Sequence, residues 1–185
     1  KLHPERSYRL LQKHFLKAMF TTGPSLAHHK IAELERRGLA RGVITTNIDH
    51  LHSIAGSQNV AEIQGSYAVN RCAGCKKHDD DVQIWNQGKA PRCKHCGGVM
   101  LSFPVYTRVG RSDYASDLAG KWVSEAELVL VVGSKGMYGQ YLGRLNRRAK
   151  IIQINPKPTQ FDDMAMLTIR GSADDVFARL DTGEA

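Results

Sequence analysis

Hydrophobic and polar positions recur with two different periods along this chain, and the changes of period divide it into elements. Tyr8, Leu11, Phe15 and Met19 are spaced three or four residues apart, which predicts a helix over 5–20 with one apolar stripe. Thr21-Thr22-Gly23-Pro24 breaks that helix, and Ser25 is placed to cap the next one. This second helix runs to about Arg37, with Ala27, Ile31 and Leu34 on one face and Gly38 as its stop. Val43-Ile44-Thr45-Thr46-Asn47 is a β-branched run that reads as a short strand ending in polar residues, and 60–64 reads as another. From Cys72 to Pro104 the periodicity is lost, and turn formers and charges dominate.

Regular patterning resumes after Ser112 with a predicted helix near 113–124. Leu128-Val129-Leu130-Val131-Val132 follows, a continuous apolar run closed by Gly133-Ser134, which is the pattern of a parallel strand buried on both faces. A helical stretch is expected around 138–148, then a strand Ile151–Asn155 stopped by Pro156 and Pro158. Met166 to Arg170 reads as a last short strand, and Ser172 as the cap of a closing helix over 173–180. Helices alternating with buried strands imply an α/β fold with right-handed crossovers. The irregular segment 65–105 then reads as an insert, with 1–64 and 106–185 forming the α/β domain.

Composition narrows this little. The chain has 185 residues and 20.5 kDa, enough for one large domain or one domain with a small insert. Hydrophobic residues make up 42% and charged residues 24%, ordinary globular usage. No apolar run approaches the roughly 20 residues that span a bilayer, so no membrane partner is expected. KLHPERSYRL lacks an apolar leader pattern, so the expected location is intracellular, in the cytoplasm. The net charge of +8 and pI of about 9.5 raise the question of nucleic acid. The densest basic cluster is Arg144, Arg147, Arg148 and Lys150, with no aromatic residues interleaved and no nucleic-acid motif nearby. Its plain reading is a solvated face, and nucleic acid is not an expected partner.

The cysteines carry a sharper signal. Cys72-x2-Cys75 and Cys93-x2-Cys96 are separated by seventeen residues and use every cysteine in the chain. Two such turns, each offering two thiolates, can close a tetrahedron around Zn2+. A pair of disulfides competes but needs an oxidising compartment, and a redox motif would be a single CxxC at a helix N-terminus. With no His, Asp or water position implied, the expected zinc site is closed and structural.

Ligands of open α/β sheets bind at the carboxyl ends of strands. The residues at those ends are Thr46, Asn47 and Asp49; Gly133 and Ser134; Asn155; and Gly171 with Ser172. Gly133-Ser134 suits the approach of a phosphate to backbone N–H groups, and Asn155 suits a ribose hydroxyl. Taken singly, a glycine after a strand also reads as a turn, and an asparagine before proline as a loop residue.

In order along the chain, these motifs resemble the sirtuin family. Thr45-Thr46-Asn47-Ile48-Asp49-His50-Leu51-His52 with Ala55-Gly56-Ser57 is similar to the family's T-Q-N-I-D-x-L-H…A-G stretch. Glu62-Ile63-Gln64-Gly65 stands where the family has E-x-H-G, just before the zinc cysteines. Ser25-Leu26-Ala27-His28-His29 with Leu34-Glu35 resembles the preceding helix; Gly133-Ser134 the phosphate turn; Ile154-Asn155 the ribose-contacting pair; and Gly171-Ser172-Ala173 the adenine-contacting turn. The resemblance implies a Rossmann-like parallel sheet with helices on both faces plus a small four-cysteine zinc domain. It implies NAD+ as co-substrate, structural Zn2+ and a protein substrate. Thr46, Gly133, Ser134, Asn155, Ser172 and Ala173 are its implied NAD+-binding residues.

Three departures shape the expected activity. The family's first strand and its Gly-rich G-A-G-x-S loop have no counterpart here; they lie upstream of Lys1, or the chain is incomplete as an enzyme. Gln64 replaces the general-base His, and a carboxamide has no lone pair basic enough to take a proton near pH 7. Val109-Gly110-Arg111 replaces the family's substrate-clamping F-G-E. Thr46 and Gln64 together look like the macrodomain-linked sirtuins, which resemble protein ADP-ribosyltransferases. The expected function is therefore an NAD+-consuming transferase acting on protein, with ADP-ribosyl transfer favoured. The alternatives are an NAD+-dependent protein-lysine deacylase and an inactive NAD+- or ADP-ribose-binding module. Asn47, Asp49 and Gln64 are the implied catalytic residues, for orienting the ribose, favouring its positive charge and positioning a ribose hydroxyl. His50 and His52 read as solvated or core histidines.

Overall fold

The apolar stripe at the N-terminus does form a long helical rod, but with a change of pitch inside it. α1 (Pro4–Leu11) runs into a π-helical segment (Gln12–Leu16) and then α2 (Lys17–Thr22). The wider π turn rotates the stripe, so Leu16 is fully buried while Leu11 and Phe15 are only partly covered. The computed structural model of the chain describes residues 3–104, 112–135 and 143–180.

Ser25 precedes α3 (Leu26–Arg36) as predicted, and Gly38, at φ +72°, follows its end. β1 (Val43–Thr45) and β2 (Val60–Glu62) pair in parallel across α4 (Leu51–Ile54), with Thr45 opposite Glu62. The side chains of β2 and its extension alternate. Ala61 and Ile63 are buried against α5 (Asp113–Glu125) through Ala115, Ala119 and Trp122, whereas Glu62 and Gln64 keep part of their surface open.

Residues 65–104 are more regular than the sequence suggested. β3 (Asn70–Cys72) lies between β4 (His78–Asp79) and β5 (Met100–Ser102) in an antiparallel sheet, and a 3-10 turn spans Val82–Asn86. Strands of two or three residues leave no readable period, which is why the pattern was lost there. The N-terminal rod packs on this unit. The Tyr8 hydroxyl donates to the Trp85 carbonyl at 3.0 Å, the Trp85 indole donates to Asn70 at 2.8 Å, and Tyr67 meets Trp85 edge-on at 5.1 Å. Such aromatic pairs add about 0.5–1.5 kcal/mol beyond the area they bury.

β6 (Leu128–Val132), β7 (Lys150–Ile154) and β8 (Leu167–Ile169) form a second parallel sheet in that order. Ile154, Ile169 and Val132 face α3 and α6 (Ala173–Ala178), around the fully buried Phe177. Val129, Val131 and Ile151 face the other way, onto Phe161, Leu145 and Ala165. The α/β class and the parallel pairing hold, with three corrections. The parallel strands occur as two sheets, and no described strand joins β1 to β6. β6 is not buried on both faces: Leu128 and Leu130 are 49% and 42% exposed, because no described element covers that end of the strand. Of the helix expected around 138–148, residues 143–144 are in a 3-10 turn and 145–148 are not helical, while 138–142 lie outside the described residues, as does Val109-Gly110-Arg111. No helix among the described residues is long and apolar enough to cross a membrane.

Candidate active site and metal centre

Both CxxC turns close on one point. The sulfur atoms of Cys72, Cys75, Cys93 and Cys96 all lie within 4.8 Å of one another. Cys72 and Cys96 are 3.5 Å apart, and Cys75 and Cys93 3.6 Å. A Zn–S bond of about 2.3 Å in a tetrahedron puts sulfurs roughly 3.8 Å apart, so these four thiols have the spacing of a zinc tetrathiolate. No pair approaches the ~2.05 Å of a disulfide bond, and all four cysteines are free. The backbone was built for this approach. A Cβ on Gly98 would stand 2.9 Å from the Cys72 sulfur and 3.2 Å from that of Cys96, closer than the loop could accommodate. Cys72, Cys93 and Met100 form the buried core here, with Ile84 packed against it. With all four positions taken by thiolates, a bound zinc would have a structural role and no open site for chemistry.

The second site is polar and lies at the carboxyl ends of β1 and β2. Two backbone bonds bracket it: the Ile63 N–H donates to the Thr45 carbonyl at 2.9 Å, and the Tyr67 N–H to the Ile48 carbonyl at 3.1 Å. Between them the loop carrying Thr46, Asn47 and Asp49 runs alongside Gln64. Asn47 is exposed, and its N–H donates to the Thr45 hydroxyl at 3.0 Å. Asp49 accepts from the Leu51 N–H at 3.1 Å. Gly65, directly after Gln64, holds φ +71° with the Phe103 ring against its backbone. These backbone bonds set the loop that carries Asn47 and Asp49 next to the segment that carries Gln64.

It also places two residues there that had been given no role. His50 Nδ1 lies 2.8 Å from Glu62 Oε1, and both side chains are largely buried. His50 occupies the left-handed region at φ +63°, which turns it back toward β2. The readable signal was strand alternation, which puts Glu62 on the same side as Gln64. Behind them, the His28 and His52 rings pack at 4.6 Å. The Ser25 N–H donates to His28 Nδ1 at 3.2 Å, which leaves the ring's own proton on Nε2 when neutral. His52 Nδ1 is buried without a partner among the described residues. Burial, and then the neighbouring His28, pushes the His52 imidazole down to about 4. Burial also lowers His28, against an upward pull from Asp49 and Asp174.

α3 links this site to the other strand ends. Asp174, in the first turn of α6, accepts the Ala27 N–H at 2.8 Å, so the carboxylate closes the start of α3 and is held below the usual range by that bond. The nearby Ser172 hydroxyl caps α6, accepting from the Asp175 N–H at 3.1 Å, and Ala173 begins that helix. Gly133 and Ser134 are exposed after β6. Asn155 is buried and ties the loops together, donating to the Ser134 carbonyl at 3.1 Å and accepting from the Lys157 N–H at 3.1 Å. Thus the residues expected at the strand ends do lie there, and Asn155 and Ser172 have visible structural duties.

A model of the Sir2 family matches residues 2–137. The chain belongs to this family. Among curated relatives, the NAD-dependent protein deacetylase of Sulfurisphaera tokodaii is 36% identical over 84% of this chain and 64% of its own length. The chain therefore spans less than two thirds of that relative. Among solved Sir2 structures, one described as showing the structural basis of sirtuin substrate affinity aligns with a TM-score of 0.82 at 30% identity, over 96% of this chain and 75% of that one. Another, a Sir2 complex with the inhibitor EX-527, 2'-O-acetyl-ADP-ribose and a deacetylated p53 peptide, aligns with a TM-score of 0.79 at 30% identity, covering 96% and 78%. Membership brings the two sites into one frame, with polar strand ends in the α/β part and a tetrathiolate unit packed beside them.

Proposed function

We propose that this protein is an NAD+-dependent protein-lysine deacylase, the second of the readings drawn from the sequence. The observation that carries it is the grouping of Asn47, Asp49 and Gln64 at adjacent strand ends in a Sir2-family chain. The relatives support deacylation over ADP-ribosyl transfer, since the similar Sulfurisphaera protein is an NAD-dependent protein deacetylase. NAD+ is the co-substrate and an acylated protein the substrate. Asn47 orients the ribose or a water, Asp49 favours the positive charge that develops as nicotinamide leaves, and Gln64 positions a ribose hydroxyl. Thr46, Gly133, Ser134 and Ala173 line the nucleotide path, while Asn155 and Ser172 set the shape of its loops. Residues 1–64 with 106–185 form the NAD+-binding part and 65–105 the zinc-binding part. Four unpaired cysteines suit a reducing, intracellular location.

ADP-ribosyl transfer remains the second reading because of Gln64, which with Thr46 resembles the macrodomain-linked sirtuins. One incubation separates the two. Full-length protein with NAD+ and an acetyl-lysine peptide should yield equal amounts of nicotinamide, deacetylated peptide and O-acetyl-ADP-ribose by mass spectrometry. Nicotinamide release with ADP-ribose attached to protein, and no deacetylated peptide, would overturn the deacylase reading.

A further inference from the structure

Moving an acyl group from a lysine amide onto a ribose hydroxyl requires that hydroxyl to lose its proton. The carboxamide of Gln64 cannot accept it near neutral pH. A group that can stands beside it. His50 lies on the loop that flanks Gln64, and its Nδ1 is 2.8 Å from Glu62 Oε1. Glu62 and Gln64 occupy alternate positions of one strand and its extension, opposite in sense to the buried Ala61 and Ile63. A carboxylate at Nδ1 holds the ring proton on that nitrogen and leaves the lone pair on Nε2, the arrangement that makes imidazole a base in carboxylate–histidine pairs. Nε2 has no hydrogen-bond partner among the described residues and is not among the buried unpaired atoms, so it is open to a ligand. The backbone shows that this placement is imposed. A side chain other than Gly at φ +63° costs on the order of 1–2 kcal/mol, and here it aims the imidazole at Glu62.

We propose that His50, oriented by Glu62, is the general base of this protein and does the work that Gln64 cannot. The inference rests on the deacylase reading. In the step concerned, nicotinamide has left and the acyl oxygen is bonded to ribose C1; the neighbouring ribose O–H bond breaks, its oxygen bonds to the acyl carbon, and the proton passes to His50 Nε2. The imidazolium is stabilised by Glu62 and returns the proton to the lysine nitrogen as the acyl C–N bond breaks, and water then adds to the acyl carbon, leaving the acyl ester and a hydroxyl at C1. Glu62 is a positioning residue and His50 the catalytic one.

The test compares His50→Asn, which suits the left-handed backbone, and Glu62→Gln with wild type in the full-length protein. Two rates are read: acetyl-lysine deacetylation, and nicotinamide exchange into NAD+, which needs no hydroxyl deprotonation. The expected result for His50→Asn is a loss of deacetylation of about 10²–10⁴-fold with exchange within a few-fold of wild type. Glu62→Gln should lose less, by the same split. Adding Gln64→His to His50→Asn should restore deacetylation by supplying an imidazole at the neighbouring position. Wild-type deacetylation in His50→Asn would overturn the inference alone. Equal loss of both rates in a folded His50→Asn, unrescued by Gln64→His, would mark His50 as structural and overturn it too. A wild-type protein that exchanges nicotinamide but never deacetylates would overturn the deacylase reading itself, and the inference with it.

Discussion

Gly65 sits at the joint between β2 and the zinc-binding unit, and replacing it with Ala is the most informative stability test. The residue holds φ +71°, and a Cβ there would overlap Phe103 Cδ1 and fall 2.5 Å from its Cγ and 2.9 Å from its Cβ. The left-handed backbone alone costs a β-carbon about 1–2 kcal/mol. Displacing the half-buried Phe103 ring from its packed position costs about 1–3 kcal/mol more. Gly65→Ala should therefore lose roughly 2–5 kcal/mol, which for a chain of this size lowers Tm by about 5–15 °C. Thermal unfolding followed by circular dichroism measures it. The two parts separate in Gly65→Ala/Phe103→Ala compared with Phe103→Ala, where only the backbone cost of about 1–2 kcal/mol should remain. A Gly65→Ala protein melting within a degree of wild type would show that the Phe103 contact does not constrain this joint. Because Gln64 is the preceding residue, the same variant should also reduce deacetylation before it melts.

Two further outcomes follow from the metal centre and the buried histidines. Chelation, or Cys72→Ser, should release one zinc per chain and loosen 70–102, because that unit's buried core contains two of its own ligands; retention of full near-UV circular dichroism without metal would refute this. Acid should weaken the fold through His52. Its folded value of about 4 is below the ordinary 6.5, so the unfolded chain takes up the proton first, and stability present above pH 6.5 is lost as pH falls toward 4. The full difference corresponds to at most roughly 3 kcal/mol, and solvent screening of the partly exposed ring reduces it to about 1–2 kcal/mol. Urea unfolding at pH 7.5 and 4.5 should show this drop in wild type and a smaller one in His52→Gln, whereas equal drops would remove His52 as its cause.

What could be read from the chain alone was whatever is encoded locally. Helix stops and caps such as Ser25, Gly38 and Ser172 work through the backbone of their own or the next few residues, so their positions were legible. The CxxC spacing is also local, because each turn presents two sulfurs whatever surrounds it, and only their convergence to within 4.8 Å needed the fold. The motif residues Asn47, Asp49 and Gln64 could be named in sequence for the same reason.

Tertiary structure decided everything that depends on partners distant in the chain. The apolar run Leu128–Val132 reads as a strand buried on both faces, yet burial is set by the elements that cover it, and Leu128 and Leu130 have none among the described residues. The π turn in the N-terminal rod matches the helix to Tyr67 and Trp85, more than 50 positions away, and no helical period announces it. His50 and Glu62 are twelve residues apart and carry no spacing signal of their own. Parallel pairing of β1 with β2 and a left-handed backbone at His50 bring the imidazole to the carboxylate. A pair of that kind exists only in three dimensions, because its energy lies in a distance that the chain does not encode until it folds.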